Sequence, residues 1–191
     1  MEAEKLLNAL HTAARLKDVT RHCDTPGGRR ESVAEHCWRL ALLAFWLRDD
    51  FPEADMDKVI RMCLIHDLGE AFTGDIPVFN KTEADEAREK DALFAWVASL
   101  PAPIAAEMQA LYGEMLAQES PEARIYKALD GMEAVAAHNE ADISGWAPNE
   151  YALNRVYAAE RCSPFPPLVA LRAALREETE RKIENSVKCE G

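Results

Sequence analysis

The sequence lacks the features that define several protein classes. It contains only 8 glycines and 10 prolines in 191 residues, too few for a collagen-like or low-complexity chain. The longest uncharged stretch, residues 92–106, is 15 residues long and includes two prolines, whereas a membrane-spanning helix needs about 20 apolar residues. The first residues are acidic and resemble no signal peptide. We therefore expect a protein that makes no contact with a membrane.

Cysteine usage and net charge narrow the class further. The five cysteines are odd in number and include no C-x-x-C pair, which is typical of the reducing cytoplasm rather than of a disulfide framework. Lys and Arg number 22 against 34 Asp and Glu, so the net charge is −12. A surface this acidic repels phosphate backbones, and we expect no nucleic-acid polymer as a partner. The sequence predicts a cytoplasmic protein.

Apolar residues recur with helical periodicity along most of the chain, and no alternating run of strand length is present. Residues 32–35 form a predicted capping box that begins one helix, and Pro121 begins another that continues to about His138. Residues 18–30, with Thr-Pro-Gly-Gly, are expected to be a loop, and residues 102–117 to form shorter helical pieces. The length and a hydrophobic content of 48% suit one domain. The sequence therefore predicts an all-α, single-domain helical bundle.

Four polar residues stand on helix faces that are otherwise apolar. His36 precedes leucines at offsets of 4, 7 and 11, and His66 follows apolar residues at offsets of 3, 4 and 7, so both imidazoles should point into the core. Asp67 follows directly, and Asp130 lies within an apolar helix. A buried carboxylate is costly unless it is paired or binds a metal. Together these groups suit Zn, Mn, Co or Fe, although each alone could be an ordinary hydrogen-bonded core residue.

Three segments carry a resemblance to a known family. They read E-S-V-A-E-H at residues 31–36, I-H-D-L-G-E-A-F-T-G-D-I-P at 65–77 and K-A-L-D-G-M-E at 127–133. This set resembles the HD-domain metal-dependent phosphohydrolases, and within them the 5′-deoxynucleotidase-like branch. The resemblance implies one HD domain over residues 1–191, with a metal-site core at about 15–140. C-terminal helices within 149–188 should pack on that core or extend from it.

The resemblance also implies roles for particular residues. In that family the first His, the HD pair and the distant Asp hold one divalent metal, which corresponds here to His36, His66, Asp67 and Asp130. The metal itself, whether Mn, Co, Zn, Fe, Ni or Mg, cannot be read from these ligands. The family's Glu three residues after the HD Asp is Glu70 in this chain, one helical turn from Asp67. It would act as general acid or base, and its structural alternative is a solvated carboxylate at a helix end.

Three further positions correspond to substrate contacts in the family. Asp75 would face the sugar and Arg21 the phosphate. His22 follows that Arg, where the deoxynucleotidase branch commonly has a Trp that crowds the 2′ side of the sugar. Residues 15–30 carry a local charge of +3 on an otherwise acidic chain, which suits a small phosphate ester. The same charges could also form ordinary surface ion pairs.

These residues and the family resemblance together predict a metal-dependent phosphomonoester hydrolase acting on nucleoside 5′-monophosphates, in particular deoxynucleotides, and the resemblance also implies a homodimer. One alternative is an HD-type phosphodiesterase acting on cyclic nucleotides. The chain has no histidine between His66 and His138, which favours one metal over the two of many HD enzymes. Another alternative is a non-catalytic helical interaction protein with a structural metal, for which Glu70, Asp75 and Arg21 would be unnecessary. We expect His138 to be an ordinary helix residue and the four tryptophans to be packing groups.

Overall fold

The computed structural model describes residues 2–77 and 80–189, and the side chains as far as residue 186. The predicted domain also includes residues 1, 78–79 and 190–191, which lie outside the described part. The helices are α1 (Ala3–Ala14), α2 (Val33–Trp46), α3 (Met56–Ile65), α4 (Glu70–Thr73), α5 (Glu83–Ala98), α6 (Ala102–Ala117), α7 (Pro121–Glu140), α8 (Glu150–Val156), α9 (Ala159–Cys162) and α10 (Pro166–Cys189). Two short strands, β1 (Thr20–Asp24) and β2 (Arg30–Ser32), pair antiparallel. The all-α class is confirmed.

The centre of the bundle is built by α2, α3 and α7, which pack against one another. The predicted capping box begins α2: the Ser32 hydroxyl accepts from the Glu35 amide at 3.3 Å, and the Glu35 carboxylate accepts from the Ser32 amide at 2.9 Å. Leu40, Met62 and Leu129 are fully buried in the core. Each such side chain contributes about 1.5–3 kcal/mol by leaving water. Helices α2 and α7 also carry His36 and Asp130, and His66 and Asp67 directly follow α3, so core packing positions the site.

Residues 18–30, predicted as a loop, contain most of the β1–β2 hairpin. The turn closes through the Thr25 amide, which donates to the Arg29 carbonyl at 2.7 Å. Gly28 has φ of +80°, a conformation that residues with a Cβ rarely adopt. The strands are three to five residues long and mostly polar, so they carry no alternating apolar pattern that sequence analysis could detect.

Two further local expectations differ from the structure. Residues 102–117 form the single helix α6 rather than shorter pieces, because Pro103 lies in its first turn, where it removes no hydrogen bond. Trp38 and Trp46 are not packing groups, since they are 63% and 66% exposed.

Among the described residues, no helix is both long enough and apolar enough to cross a membrane.

The C-terminal helices close one side of the bundle. Helix α10 packs against α7, α8 and α9. Its buried Arg172 donates to the carbonyls of Asn154 and Tyr157 at 2.7 and 2.8 Å. These bonds fix α8 and the turn after it beside α7, where they form a wall of the cavity described below.

Candidate metal centre and active site

The four predicted metal ligands come together at one point. The Nε2 atoms of His36 and His66 are 3.2 Å apart. Asp67 Oδ2 lies 3.0 Å from His66 Nε2 and 3.6 Å from His36 Nε2. Asp130 Oδ1 lies 3.2 Å from His36 Nε2 and 3.6 Å from His66 Nε2. Residues that lie 30, 31 and 94 positions after His36 in the sequence therefore meet in space.

This donor set fits a divalent metal. Ligands at about 2.0–2.2 Å from one ion are separated by roughly 3.0–3.6 Å at tetrahedral or octahedral angles. The distances above fall in that range, and the ligand atoms of His36, His66 and Asp67 all lie within 4.8 Å of one another. Two nitrogen and two carboxylate donors form the mixed shell that Zn, Mn, Co, Fe or Ni accepts.

Both imidazoles are oriented by hydrogen bonds from their other ring nitrogen. His66 Nδ1 donates to the Cys63 carbonyl at 2.9 Å, and His36 Nδ1 contacts the Glu133 carboxylate. A proton on Nδ1 leaves Nε2 with a lone pair that points at the shared centre. The orientation therefore exists before any ion binds.

Glu70 lies beside this cluster and is the first residue of α4. It is 6% exposed, and its Oε2 atom has no hydrogen-bond partner within the described structure. Burial, followed by the negative charges of Asp67 and Asp75, raises the pKa of the Glu70 carboxyl to about 10. The solvated alternative is therefore wrong. A protonated buried carboxyl group next to a metal site is suited to donate a proton.

The hairpin places a positive charge next to the cluster. Arg21 on β1 is held by Glu31 and Glu133, whose carboxylates accept from Nη1 at 2.6 and 3.3 Å. Burial alone lowers the pKa of Arg21, but the negative charges of Glu133 and Glu31 outweigh it and raise the pKa above its ordinary value. The guanidinium therefore stays charged, and its remaining N–H groups can bind an anion.

One cavity of about 370 Å³ joins these parts. Seven of the eight predicted site residues line it: Arg21, His22, His36, Asp67, Glu70, Asp75 and Asp130. The exception, His66, lines a neighbouring cavity of about 710 Å³ that shares Lys127 and Arg161 with the first. The volume is in the range of small-molecule sites.

Comparison with known proteins agrees with this geometry. The family model described as HD domain matches residues 13–163 of the chain. The chain belongs to the HD-domain family. This match covers the hairpin, both histidines and both aspartates of the centre.

Individual HD-domain proteins are similar over most of the chain. The 5′-deoxynucleotidase HDDC2 of Danio rerio is 31% identical over 183 residues, 94% of this chain and 87% of that protein. The protein of the same name from Homo sapiens is 32% identical over 142 residues, 72% of this chain and 69% of that protein. A predicted metal-dependent phosphohydrolase from Magnetospirillum magnetotacticum MS-1 superimposes with a TM-score of 0.81 at 29% identity, covering 94% and 93% of the two chains.

A more distant structure shares the fold. The HD phosphohydrolase DatZ of cyanophage S-2L, bound to dA and one catalytic Zn²⁺ ion, aligns with a TM-score of 0.58 at 24% identity. The alignment covers 92% of this HD-domain chain and 96% of the phage chain.

Sequence reasoning missed several charged residues of the site. Lys127 Nζ donates to Asp130 Oδ2 at 2.8 Å. His138, expected to be an ordinary helix residue, lines the cavity with its Nε2 3.0 Å from Glu150 Oε1. Glu133 is 2% exposed and contacts a predicted ligand. A signal for Glu133 was present, since it lies one turn after Asp130 on the same buried helix.

Proposed function

We propose that this HD-domain protein is a metal-dependent phosphomonoester hydrolase that releases phosphate from nucleoside 5′-monophosphates, with deoxynucleotides as its main substrates. The observation that carries the proposal is the meeting of three functions in one cavity. Three of the four predicted metal ligands line the cavity, with His66 directly beside them, and so do the buried, proton-carrying Glu70 and the positively charged Arg21. Support also comes from relatives named 5′-deoxynucleotidase that are about 30% identical over most of their length.

We propose that His36, His66, Asp67 and Asp130 hold one divalent ion. When bound, such an ion polarises a phosphoryl oxygen and lowers the pKa of water, so that a nucleophile is available near neutral pH. Any of Mn, Co, Zn, Fe, Ni or Mg would meet a mixed nitrogen and oxygen donor set here. Which of them is native is decided by measuring activity with each metal.

The remaining residues act on the substrate. Arg21 binds the phosphate and fixes its direction, because its Nη1 is anchored on buried carboxylates. His22 and Asp75 line the cavity beside it and contact the sugar. Glu70 carries a proton in the free site and gives it to the 5′ oxygen as the P–O bond breaks.

A screen of metals and substrates tests the proposal. Metal-stripped protein is supplied with each divalent ion and assayed for phosphate release from ribo- and deoxynucleoside 5′-monophosphates. Bis-p-nitrophenyl phosphate and a cyclic nucleotide are the diester controls. We expect release from monoesters only. Cleavage of the diesters alone would establish the phosphodiesterase alternative, and metal binding without turnover of any substrate would establish the non-catalytic one.

Replacement of Arg21 should affect substrate binding more than turnover. Loss of a charge-assisted contact is worth about 1.5–3 kcal/mol, so Arg21→Ala should raise KM by roughly 10- to 150-fold. Arg21→Lys keeps the charge between Glu31 and Glu133 but loses the planar fork, and it should give a smaller rise. Steady-state kinetics with dAMP measures both variants.

The matched control for these variants is Arg30→Ala. Arg30 lies on β2 of the same hairpin and is half exposed, and its Nε atom is 3.5 Å from Asp24 Oδ1. Arg30→Ala should leave KM unchanged. An equal rise in KM for Arg30→Ala would show that the hairpin's charge, rather than a contact of Arg21, attracts the substrate.

His22 should weaken discrimination against ribonucleotides. An imidazole is smaller than the indole common in the deoxynucleotidase branch, and it can hydrogen-bond to a 2′-hydroxyl. An apolar wall rejects an added hydroxyl by about 10²-fold, so we expect measurable hydrolysis of AMP beside dAMP. His22→Trp should raise the dAMP preference. Complete rejection of AMP by the wild type would place selectivity elsewhere, for example at Asp75.

We also propose that the protein is a cytoplasmic homodimer. Trp38 and Phe45 stand two turns apart on α2 and are 63% and 51% exposed, which gives an apolar surface for a second copy. The four described cysteines are free thiols, as a reducing compartment allows. Light scattering should give twice the 21.3 kDa chain mass, and cell fractionation should recover the protein with cytoplasmic markers. A monomer or a sedimenting fraction would contradict these proposals.

A further inference from the structure

Three positively charged or proton-donating side chains meet on one buried carboxylate, that of Glu133 on α7. Its Oε2 contacts His36 Nδ1 and lies 3.3 Å from Arg21 Nη1, while its Oε1 accepts from Arg39 Nε at 2.6 Å. The Glu133 side chain is 2% exposed. A carboxylate this deeply buried is tolerated because every one of these partners donates to it.

The two contacts on Oε2 belong to different parts of the site. His36 is one of the proposed metal ligands, whereas Arg21 is the proposed phosphate contact. The same oxygen therefore orients both, and the contact to Arg39 on Oε1 keeps the carboxylate from rotating away. Arg39 is in turn held by Glu140 at its Nη1, so the arrangement ends at the protein surface.

We propose that Glu133 is a positioning residue that fixes the metal-binding imidazole of His36 and the guanidinium of Arg21 relative to each other. It accepts a hydrogen bond from Nδ1 of His36, which leaves the Nε2 lone pair directed at the proposed metal site, and the same oxygen holds Arg21 beside that site. Outer carboxylates of this kind change metal affinity by about 10- to 100-fold when they are removed. The inference rests on the proposed metal site.

Two other glutamates separate this role from simpler effects. Glu31 is also buried and bonds Arg21 at 2.6 Å, so Glu31→Gln removes the same charge near the site while leaving the Glu133–His36 contact in place. Glu140 lies two turns after Glu133 on α7, is 48% exposed and contacts Arg39 alone among the described residues. Glu140→Gln therefore reports any general effect of changing this helix.

The experiment is isothermal titration of Mn²⁺ into metal-stripped protein, with circular dichroism and Tm recorded for every variant. Glu133→Gln, which is isosteric, should bind Mn²⁺ about 10- to 100-fold more weakly than the wild type. Glu31→Gln should lose clearly less affinity for Mn²⁺ than Glu133→Gln does. Glu140→Gln should bind Mn²⁺ as tightly as the wild type. If Glu133→Gln does not fold, Arg39→Met takes its place. It leaves Glu133 in contact with His36 and Arg21 but removes the bond on Oε1 that keeps the carboxylate from rotating, and it should lower the affinity for Mn²⁺ several-fold.

Three outcomes would overturn the inference. Wild-type affinity in folded Glu133→Gln would show that the carboxylate only stabilises the fold. An equal loss in Glu31→Gln would show a charge effect without positioning. Absence of Mn²⁺ binding by the wild type, repeated with Co²⁺ and Zn²⁺, would remove the metal site itself and with it both the proposed function and the inference. The first outcome, in which the wild type binds metal and Glu133→Gln binds it equally well, would remove the inference and leave the proposed function standing.

Discussion

Asp67→Ala is expected to reduce phosphate release to background and to abolish tight binding of a divalent metal. Asp67 Oδ2 lies within 3.6 Å of both imidazole Nε2 atoms, so its loss opens one side of a centre that has four protein donors. It also removes one of the two carboxylates that face both imidazole Nε2 atoms, so that among the described residues Asp130 alone remains on that side. His66→Ala, which removes the predicted ligand directly after α3, should likewise abolish phosphate release and tight metal binding. Phosphate release and Mn²⁺ titration measure both variants.

Asp57→Ala is the matched control for the lost ligand. Asp57 lies in the first turn of α3 and is solvent-exposed, and it should cost only the few tenths of a kcal/mol that a charge near a helix N-terminus contributes. Its activity and metal affinity should equal those of the wild type. Full activity in metal-stripped Asp67→Ala would show that the reaction needs no ion at this centre.

The parts of the site that could be predicted from the sequence obey local rules. A histidine or aspartate on an apolar helix face is expected to point inward, whatever its partner is, and the side chains of His36, His66 and Asp130 are 1%, 3% and 17% exposed. The capping box at Ser32 and the Pro at position 121 depend only on neighbouring residues, and both helix starts are confirmed. The identity of the ligand set required the family resemblance, because periodicity does not say which buried polar groups face each other.

The parts that could not be predicted depend on contacts between distant residues. Strands of three to five mostly polar residues become a hairpin because the turn between them closes and because Ser32, at the end of β2, caps α2. The position of Glu133 one turn after Asp130 predicts that both side chains share a helix face, but only the structure shows His36, Arg21 and Arg39 around the Glu133 carboxylate. Trp38 has the large apolar side chain of a typical core residue but is exposed, since its helix face is not covered by another described element of the chain.

The proposed metal ligands and the proposed phosphate contact lie on different kinds of element. The metal ligands are on or directly beside α2, α3 and α7, the most deeply packed helices, whereas Arg21 is on a short hairpin. The proposed phosphate contact of Arg21 therefore depends on side-chain contacts that hold the hairpin against the helical core. The described contacts supply it through Glu31 on β2 and Glu133 on α7. A preorganised positive group of this kind lowers the cost of orienting the substrate at the moment of reaction.

Glu70→Gln should retain the metal but lose turnover by about 10²- to 10⁴-fold, the range typical for removal of a general acid or base. Glu70 is not one of the four donors, so Mn²⁺ affinity should stay within about twofold of the wild type, a change of roughly 0.4 kcal/mol. Burial, with Asp67 and Asp75, raises the pKa of Glu70 to about 10. The Glu70 carboxyl of the metal-free site is therefore neutral near pH 7, and a neutral amide of the same size should leave the Tm of the metal-free protein unchanged.

This combination distinguishes proton transfer from charge or packing. Glu119→Gln, at an exposed position on the loop before α7, is the control and should have wild-type kcat and KM. A loss of kcat in Glu70→Gln with unchanged KM, Tm and Mn²⁺ affinity assigns the proton to Glu70, because the amide keeps the shape of the site and removes only the transferable proton. If kcat stayed at the wild-type value, the proton of the leaving 5′ oxygen would have to come from water. The buried Oε2 of Glu70, which has no hydrogen-bond partner among the described residues, would then be only a structural feature of the turn after Asp67.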